Sequence, residues 1–172
     1  MKKVLISTLF SVMCFSNELE NINSFTANFS QTIVDDKNKT LSYSGLVEAS
    51  KPYFALWSYK KPIQKDVYIL RTKVMIVEKE LEQVIIKNLD SSFNFFSMIK
   101  NAKKISNNKY IAKFKDKLFT ISTNKHTISA ISYQDDFDNN ITIKFKNQKI
   151  NKKIDLEVFD PIIPLDYDII RE

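Results

Sequence analysis

Apolar side chains recur at every second position in several stretches of this chain. The two clearest stretches place on one face the residues Phe25, Ala27, Phe29, Gln31 and Ile33, and the residues Ile141, Ile143 and Phe145. Successive side chains of a β-strand point to opposite faces, so a period of two buries one face of a sheet. This pattern predicts a chain that is mainly antiparallel β.

Further segments of similar composition predict additional strands. They cover residues 41–50, 53–59, 66–70, 74–78, 81–87, 109–115, 118–122, 127–134 and 155–159. Clusters of Asn and Asp separate several of them, and these residue types tolerate the left-handed conformation that tight turns need. Because Gly45 is the only glycine, we expect Asn and Asp to occupy the turn positions that glycine usually takes.

Two segments predict helices instead. In residues 91–104 the apolar side chains form an i, i+3, i+4, i+7 stripe, and its members are Phe95, Met98, Ile99 and Ala102. Residues 18–23 predict a shorter helix, with Leu19 and Ile22 three positions apart on one face. The longer helix has one apolar face to bury, and the concave face of an antiparallel sheet can receive it.

The first sixteen residues have the layout of a secretory signal. A basic start precedes an apolar run that is shorter than the ~20 residues of a membrane span, and small residues follow at cleavage-type spacing. A lipoprotein signal would place a small residue before the acylated cysteine, whereas here Met13 precedes Cys14. We expect a signal peptide over residues 1–16, cleaved without lipidation.

The mature chain, residues 17–172, is predicted to form one soluble domain without a disulfide, since the single cysteine leaves with the signal. Its basic excess is small: without Lys2 and Lys3 the 26 lysines and arginines fall to 24, against 20 acidic residues. The lysines are interleaved with acidic residues rather than clustered. A solvated surface explains this charge, and no nucleic-acid partner is expected.

The residue inventory argues against catalysis and against a bound metal. His126 is the only histidine, no cysteine remains in the mature chain, and one glycine cannot build a phosphate-binding loop. One histidine does not make a zinc site, and acidic residues 135–138 lack the glycine and the distal glutamate of a calcium loop. We expect no catalytic residue, metal or cofactor, and we expect residues 135–138 to form a solvated hairpin turn.

Residues 51–62 concentrate aromatic and rigid side chains. They contain the only tryptophan, Trp57, and two of the four prolines, with aromatic residues at alternate positions. The neighbours Tyr53 and Phe54 would point to opposite faces of a strand, so both faces need cover. Two interpretations remain open at this point. The aromatic side chains either pack an ordinary core beneath a helix, or line a cavity for an apolar ligand under a helical lid.

Several short motifs, taken in order, resemble those of a known family. They are Ser24-Phe25-Thr26-Ala27-Asn28-Phe29-Ser30-Gln31, Ser44-Gly45, Lys51-Pro52, Trp57-Ser58-Tyr59, Pro62 and Glu80-Leu81-Glu82-Gln83-Val84, followed by the apolar helix and a C-terminal strand before Pro161. Their order and spacing, behind an unlipidated signal, are similar to the periplasmic outer-membrane lipoprotein carrier (LolA) family over essentially the whole mature chain.

The resemblance implies an incompletely closed antiparallel β-barrel with an α-helical lid over an apolar cavity. It implies a non-enzymatic, monomeric periplasmic carrier without a cofactor. Such a carrier receives lipoproteins from an inner-membrane ATP-driven releasing complex, holds their acyl chains and ferries them to the outer membrane. An outer-membrane lipoprotein receptor would be a further partner, and the resemblance leaves open whether one exists.

Strand parity within that fold assigns the acyl-binding positions, because residues at alternate positions share the face of Trp57. The predicted cavity residues are Phe25, Phe29, Ile33, Val47, Tyr53, Trp57, Tyr59, Phe95, Met98 and Ile99. Lys51 stands where the family usually has an arginine tied to lid closure. It is predicted to contact the lid or a partner, more weakly because lysine lacks the planar fork of arginine. The chain departs from the family at two further places. The family commonly has phenylalanine at the position of Ala55, so we expect a different cavity shape. It commonly has a glycine turn at the position of Arg71-Thr72, so we expect a different hairpin there.

Two other functions fit the same residues. The chain could be a non-carrier relative of the same fold that senses lipids or mislocalised lipoproteins, or a β-rich adaptor that binds protein edges. Bound acyl ligand would argue against the adaptor, and lipoprotein sorting would separate a carrier from a sensor.

Two sites have the form that some bacterial glycosylation systems modify. Asn38 and Asn140 each begin an Asn-x-Thr sequence with an acidic residue two positions earlier. An asparagine-rich chain also produces such sequences by chance, so glycosylation is a hypothesis that an intact mass from the native host would test.

Overall fold

The chain folds into one large sheet with short helices on it. A computed structural model describes residues 18–89, 95–125 and 127–172, and within them twelve strands form a single sheet. The strands are β1 (Ser24–Val34), β2 (Thr40–Ser50), β3 (Phe54–Lys61), β4 (Lys65–Ile69), β5 (Lys73–Glu78), β6 (Gln83–Asn88), β7 (Lys103–Ser106), β8 (Lys109–Phe114), β9 (Lys117–Asn124), β10 (Thr127–Gln134), β11 (Asn140–Ile150) and β12 (Asp168–Arg171). The helical segments are α1 (Phe95–Lys100) and the 3-10 helices Glu18–Asn21, Lys79–Leu81 and Leu156–Phe159. None of the helices in these ranges has the length and apolarity to span a bilayer.

Two antiparallel meanders make up most of the sheet. Strands β1 to β6 are neighbours in chain order, as are β7 to β11, and β11 pairs with β1 to join the two meanders. At the edges of the sheet lie β7 and β12, and β12 runs parallel to its neighbour β6. In the described ranges no pairing connects the two edges. The predicted incompletely closed antiparallel β-barrel is confirmed, with one parallel pair at its edge.

The sheet is strongly curled. Val67 on β4 and Phe119 on β9 line one cavity, although six strand spacings separate their strands in the sheet. A flat sheet would hold them about 29 Å apart, at about 4.8 Å per strand. Only a curled sheet brings both side chains to the same space, so its inner face is concave.

The inner face carries the main core. Leu19 and Ile22 of the N-terminal segment and Phe96 and Ile99 of α1 are buried together with inward-facing side chains of the sheet. The N-terminal 3-10 helix (Glu18–Asn21) and α1 also contact each other. We call these two elements the lid.

The outer face of the first meander is covered by the C-terminal segment. Met75, Val77 and Val84 form a second buried cluster, against which Ile163 and Tyr167 pack. The ring of Phe54 stacks on that of Phe159 with centroids 5.4 Å apart. Both faces of β3 are therefore covered, the inner one by the main core and the outer one by the C-terminal segment.

Eight of the predicted strand ranges, from residues 41–50 to residues 127–134, are present with ends shifted by at most two residues. The strand predicted over residues 155–159 is wrong, because Leu156–Phe159 is a 3-10 helix. Asp155 caps it by accepting a hydrogen bond from the backbone N–H of Glu157 at 3.2 Å. The C-terminal strand quoted in the family resemblance is therefore absent at that place, and β12 was not predicted.

The helix predicted over residues 91–104 ends earlier than expected. Within the described residues it covers Phe95–Lys100, and Lys103–Ser106 forms β7, paired with β8. The apolar stripe that predicts the helix continues to Ala102, but the residues that follow form hydrogen bonds with β8 as an edge strand. The start of that helix, the signal peptide predicted over residues 1–16 and His126 lie outside the described residues.

The two turns with Asp-Asp sequences have the same geometry, as expected of a chain with one glycine. Asn38 and Asp138 both have φ of 61°, in the left-handed region. In each turn the first aspartate, Asp35 or Asp135, accepts two backbone N–H donors of its own turn at 2.7 to 3.0 Å. The solvated hairpin predicted over residues 135–138 is confirmed.

Both potential glycosylation sites are exposed. Asn38 lies in the first of these turns and Asn140 is the first residue of β11. Their modification stays a prediction.

Gly45 is required by a close approach of two strands. A Cβ added at Gly45 would overlap the carbonyl oxygen of Ser58 on β3 and lie 2.9 Å from Cε1 of Phe29. We expect Gly45→Ala to lower the free energy of unfolding by about 1–3 kcal/mol or more, the usual effect of overpacking a core. Urea unfolding measures it, with exposed Ser42→Ala on the same strand as control, expected to change the free energy by less than about 0.5 kcal/mol. Equal stability of the two variants would contradict this account.

Candidate functional site

A cavity of about 640 Å³ lies between the concave face of the sheet and α1. One wall comes from β3 and β4, through Trp57, Tyr59, Val67 and Ile69. These residues occupy alternate positions, and the residues between them face the outer side. The volume lies within the range of about 300–1,000 Å³ that is usual for small-molecule sites.

The opposite wall comes from the second meander. Phe114 on β8, Phe119 on β9, Ile131 and Tyr133 on β10, and Ile143 on β11 line the same cavity. Phe119 and Tyr133 are neighbours, with ring centroids 4.9 Å apart. The cavity is therefore lined by strands from both halves of the chain.

The lid contributes Phe95 and Met98 to the cavity. Met98 and Ile99 are buried, and the ring of Phe95 lies 6.3 Å from that of Phe25 on β1. Methionine is unbranched and rotates easily, so Met98 can adapt to differently shaped apolar ligands.

Aromatic side chains form the floor beneath Trp57 and Tyr59. The ring of Phe29 makes edge contacts with Trp57 at 5.1 Å and with Tyr59 at 5.0 Å between centroids. Phe145 lies 6.2 Å from Trp57 and 5.3 Å from Phe25. These contacts hold the rings of the floor in place, so the side chains of the lid are the part of the cavity wall that can adapt.

A polar pair stands inside this apolar space. The Tyr59 hydroxyl donates a hydrogen bond to Oε1 of Gln31 at 2.9 Å, and Gln31 is 8% exposed. Burial, with smaller contributions from Tyr133 and Tyr43, raises the pKa of Tyr59 to about 12. Burial and the nearby Asp135 also raise the pKa of Tyr133. Both hydroxyls are protonated donors at neutral pH.

Charged side chains surround one opening of the cavity. Lys115, Asp116, Lys117 and Asp136 contribute to its lining, and the ammonium of Lys117 lies 2.8 Å from the carboxylate of Asp136. Asp136 is exposed, so this ion pair adds little to stability. It marks where the apolar wall meets water. In the described part of the chain no group of three His, Cys, Asp or Glu side chains could hold a metal ion.

Lys51 fastens the N-terminal part of the lid. Its Nζ donates to the backbone oxygen of Glu20 at 3.1 Å and to Oδ1 of Asn23 at 2.9 Å, and its backbone N–H donates to the oxygen of Asn23 at 2.8 Å. Because the N-terminal 3-10 helix contacts α1, this attachment also supports α1. A role of Lys51 in lid closure or partner binding stays a prediction.

The predicted cavity residues fall into three groups. Those that line the cavity are Trp57, Tyr59, Phe95 and Met98; those buried in the surrounding core are Phe25, Phe29, Val47 and Ile99; and Ile33 packs against that core from a partly buried position. Tyr53 precedes β3 and packs on Phe54 at 4.6 Å and near the Arg71 guanidinium at 6.0 Å. Acyl binding by these residues stays a prediction.

The wall from β8 to β11 was not predicted as part of the site. Ile143 was placed on the buried face by alternation, and Gln31 was assigned to the face of Phe29, but neither was assigned to the cavity. The available signal was the alternation of apolar residues. Alternation shows on which face of the sheet a side chain lies, but it does not show whether that side chain borders a cavity.

The departures at Ala55 and Arg71 have local consequences. Ala55 is buried between Ala49 and Ile69, its partners on β2 and β4. Phe54 stacks on Phe159 at the outer face, so it does not fill the space beside Ala55. Arg71 and Thr72 form a two-residue hairpin closed by a hydrogen bond from the Leu70 N–H to the Lys73 oxygen at 2.9 Å.

Sequence comparison relates the chain to lipoprotein carriers. A family model described as outer membrane lipoprotein carrier protein LolA matches residues 20–113. An outer-membrane lipoprotein carrier protein of Campylobacter jejuni is 44% identical over 170 residues, which cover 99% of this chain and 99% of the relative. Another, of Wolinella succinogenes, is 34% identical and covers 89% of this chain and 90% of the relative.

Solved structures show the same fold at low sequence identity. An uncharacterized conserved protein from Thermus thermophilus matches with a TM-score of 0.56 and 10% identity, covering 91% of this chain and 95% of that one. A LolA superfamily protein from Nitrosomonas europaea matches with a TM-score of 0.53 and 9% identity, covering 84% and 93%. At such identities the likeness concerns the fold alone.

We expect Lys51→Met to loosen the N-terminal part of the lid. Loss of the two side-chain hydrogen bonds, worth about 1 kcal/mol at an exposed site, should speed amide exchange of Ile22 about fivefold. Hydrogen exchange followed by NMR measures this. Lys51→Arg, which keeps donors and charge, and Lys61→Met, an exposed lysine at the end of β3, serve as controls. Unchanged exchange in Lys51→Met would show that the ammonium does not hold the helix.

Tyr59 should make stability depend on pH in the alkaline range. Its raised pKa means that the folded state keeps a proton that the unfolded state releases near pH 10. This contribution is fully present below pH 10 and is lost as pH rises toward 12, amounting to of the order of 2 kcal/mol. Urea unfolding at several pH values should show a shallower decline for Tyr59→Phe than for the unmodified protein. Identical declines would contradict the raised pKa.

Proposed function

The chain belongs to the outer membrane lipoprotein carrier protein LolA family, and on that premise we propose that it is a periplasmic carrier that holds the acyl chains of lipoproteins between the inner and outer membranes. The observation that carries the proposal is the apolar cavity of about 640 Å³ under the lid. The curated relatives that cover nearly the whole chain are named as outer-membrane lipoprotein carriers, which supports the same role.

The energetics of acyl burial suit an incompletely closed container. Each buried CH₂ contributes about 0.8 kcal/mol, so one fully buried sixteen-carbon chain would contribute about 12 kcal/mol. Three chains held that completely would not be released. A cavity with one open side, a charged opening and an adaptable lid residue such as Met98 shields the chains in part and keeps release feasible.

Transfer requires two states of the lid. A partner can drive release only by binding one state better than the other or by offering a better site. We propose the inner-membrane ATP-driven releasing complex as donor of the lipoprotein, and an outer-membrane receptor or the membrane itself as acceptor. The Lys51 attachment is weak enough to exchange, because it consists of hydrogen bonds from an exposed ammonium.

The proposed role requires export to the periplasm but no catalysis. We propose that the chain reaches the periplasm through its signal over residues 1–16, acts as a monomer and is not an enzyme. Binding and release of an apolar chain break no covalent bond, so the apolar lining with its protonated tyrosine donors suffices.

Depletion and complementation in the native host test the carrier function. Depleting the protein should leave outer-membrane lipoproteins at the inner membrane, as measured by membrane fractionation. Met98→Glu places a carboxylate in the cavity and should fail to restore sorting, since an unpaired charge in apolar surroundings is strongly unfavourable. Ile105→Glu makes the same change at a residue of β7 that is 57% exposed and should restore it.

The carrier variants purified from the complemented cells provide a second measurement, which is the set of proteins bound to each variant. Acylated proteins should co-purify with the unmodified protein and with Ile105→Glu, as identified by mass spectrometry, but not with Met98→Glu. Normal sorting after depletion would contradict the carrier function and favour a sensor. Absence of any acylated species from the unmodified protein would favour an adaptor.

A further inference from the structure

Gln31 is a polar exception in an apolar row. Pairing across neighbouring strands aligns Ile121, Ile131, Ile143 and Gln31 on the same face of the sheet. The three isoleucines are buried, and Gln31 is buried as deeply, with 8% of its surface exposed. An apolar side chain would satisfy the packing at this place, so the amide needs another explanation.

Half of the Gln31 amide lacks a protein partner. Oε1 accepts the hydrogen bond from the Tyr59 hydroxyl, whereas among the described residues Nε2 makes no hydrogen bond. Gln31 lines the cavity, so these two donors face the ligand space. Nε2 is not fully enclosed by protein atoms, so an acceptor on a ligand in the cavity can reach it.

Tyr59 sets the direction of the amide. Its ring is held by edge contacts with Phe29 at 5.0 Å and with Tyr43 at 5.7 Å between centroids. The Tyr59 hydroxyl donates to Oε1 at 2.9 Å, and this hydrogen bond leaves Nε2 on the other side of the amide. The ammonium of Lys65 lies 5.1 Å from the centre of the same ring. A positive charge thus lies beside Tyr59, the partner of Gln31, and the unused donors of the amide favour an acceptor.

We propose that Nε2 of Gln31 donates a hydrogen bond to the ester or amide carbonyl oxygen at the head of a bound acyl chain, with Tyr59 as the positioning residue. This inference rests on the proposed function, because it names the part of the acyl ligand that the cavity recognises. The carbonyl is the polar group that every ester- or amide-linked acyl chain carries, and it accepts without donating. With its head at Gln31, the chain extends along Trp57 toward Phe95 of the lid.

A matched pair of ligands tests the hydrogen bond apart from apolar binding. 1,2-Dioctanoyl-sn-glycerol carries two ester carbonyls, and 1,2-dioctyl-sn-glycerol has ether links in their place. Binding is measured by the fluorescence of Trp57. The unmodified protein should bind the diester about fivefold more tightly than the diether, the usual contribution of one neutral hydrogen bond.

Variants assign that preference to Gln31. Gln31→Met keeps an unbranched side chain of similar size and should bind both compounds equally, with the affinity for the diether kept or raised. Tyr59→Phe should lower the preference, because the amide loses its orientation. Gln64→Met makes the same change at an exposed position between β3 and β4 and should keep the preference. Gln31→Leu repeats the test with a second apolar side chain, should the methionine variant fold poorly.

The outcomes separate this inference from the carrier function. Equal binding of diester and diether by the unmodified protein overturns the inference and leaves acyl binding intact. A preference that persists in Gln31→Met and Gln31→Leu also overturns it. Binding of neither compound by the unmodified protein overturns the carrier function and the inference with it.

Discussion

The connection between the two meanders joins β6 and β7, which lie near opposite edges of the sheet. This connection includes α1, whose Phe96 and Ile99 are buried in the core on the concave face. The N-terminal 3-10 helix packs beside it and is tied to β2 and β3 through Lys51. The position of α1 over the cavity thus follows from its place between the two meanders.

The two faces of the first meander are filled to different extents. On the outer face, Phe54 stacks on Phe159 and the second cluster closes against the C-terminal segment, so this side is filled. On the inner face, Trp57 and Tyr59 pack on Phe29 below them and leave space above. The core on the inner face is thus packed next to an unfilled cavity.

Much of the fold could be predicted from the sequence, because a period of two is a local signal that burial enforces across a whole strand. The pattern from Phe25 to Ile33 identified β1 and its buried face, and Asn38 and Asp138 identified turns without glycine. Periodicity predicted the wrong element at two places, where pairing at a sheet edge or a helix cap determines the structure. Residues 103–106 continued a helical stripe but pair with β8, and Asp155 turned an alternating segment into a 3-10 helix by capping it. The site was harder to predict, because parity gave the same face to Phe29, which is packed on all sides, and to Ile143, which borders empty space. That difference arises from the curl of the whole sheet.

The polar pair inside the cavity bears on how a carrier can be selective and still release its ligand. Apolar burial does not depend on direction, and its contribution to binding grows by about 0.8 kcal/mol with every CH₂. The binding free energy therefore increases with chain length, and long chains are retained strongly. A single neutral hydrogen bond contributes about 1 kcal/mol whatever the length of the chain. An amide at Gln31 therefore adds little to retention, while it defines where the head of the chain lies. Placing one donor in an apolar wall separates recognition of the acyl head from the strength of binding, and the strength can then be set by how completely the lid covers the chain.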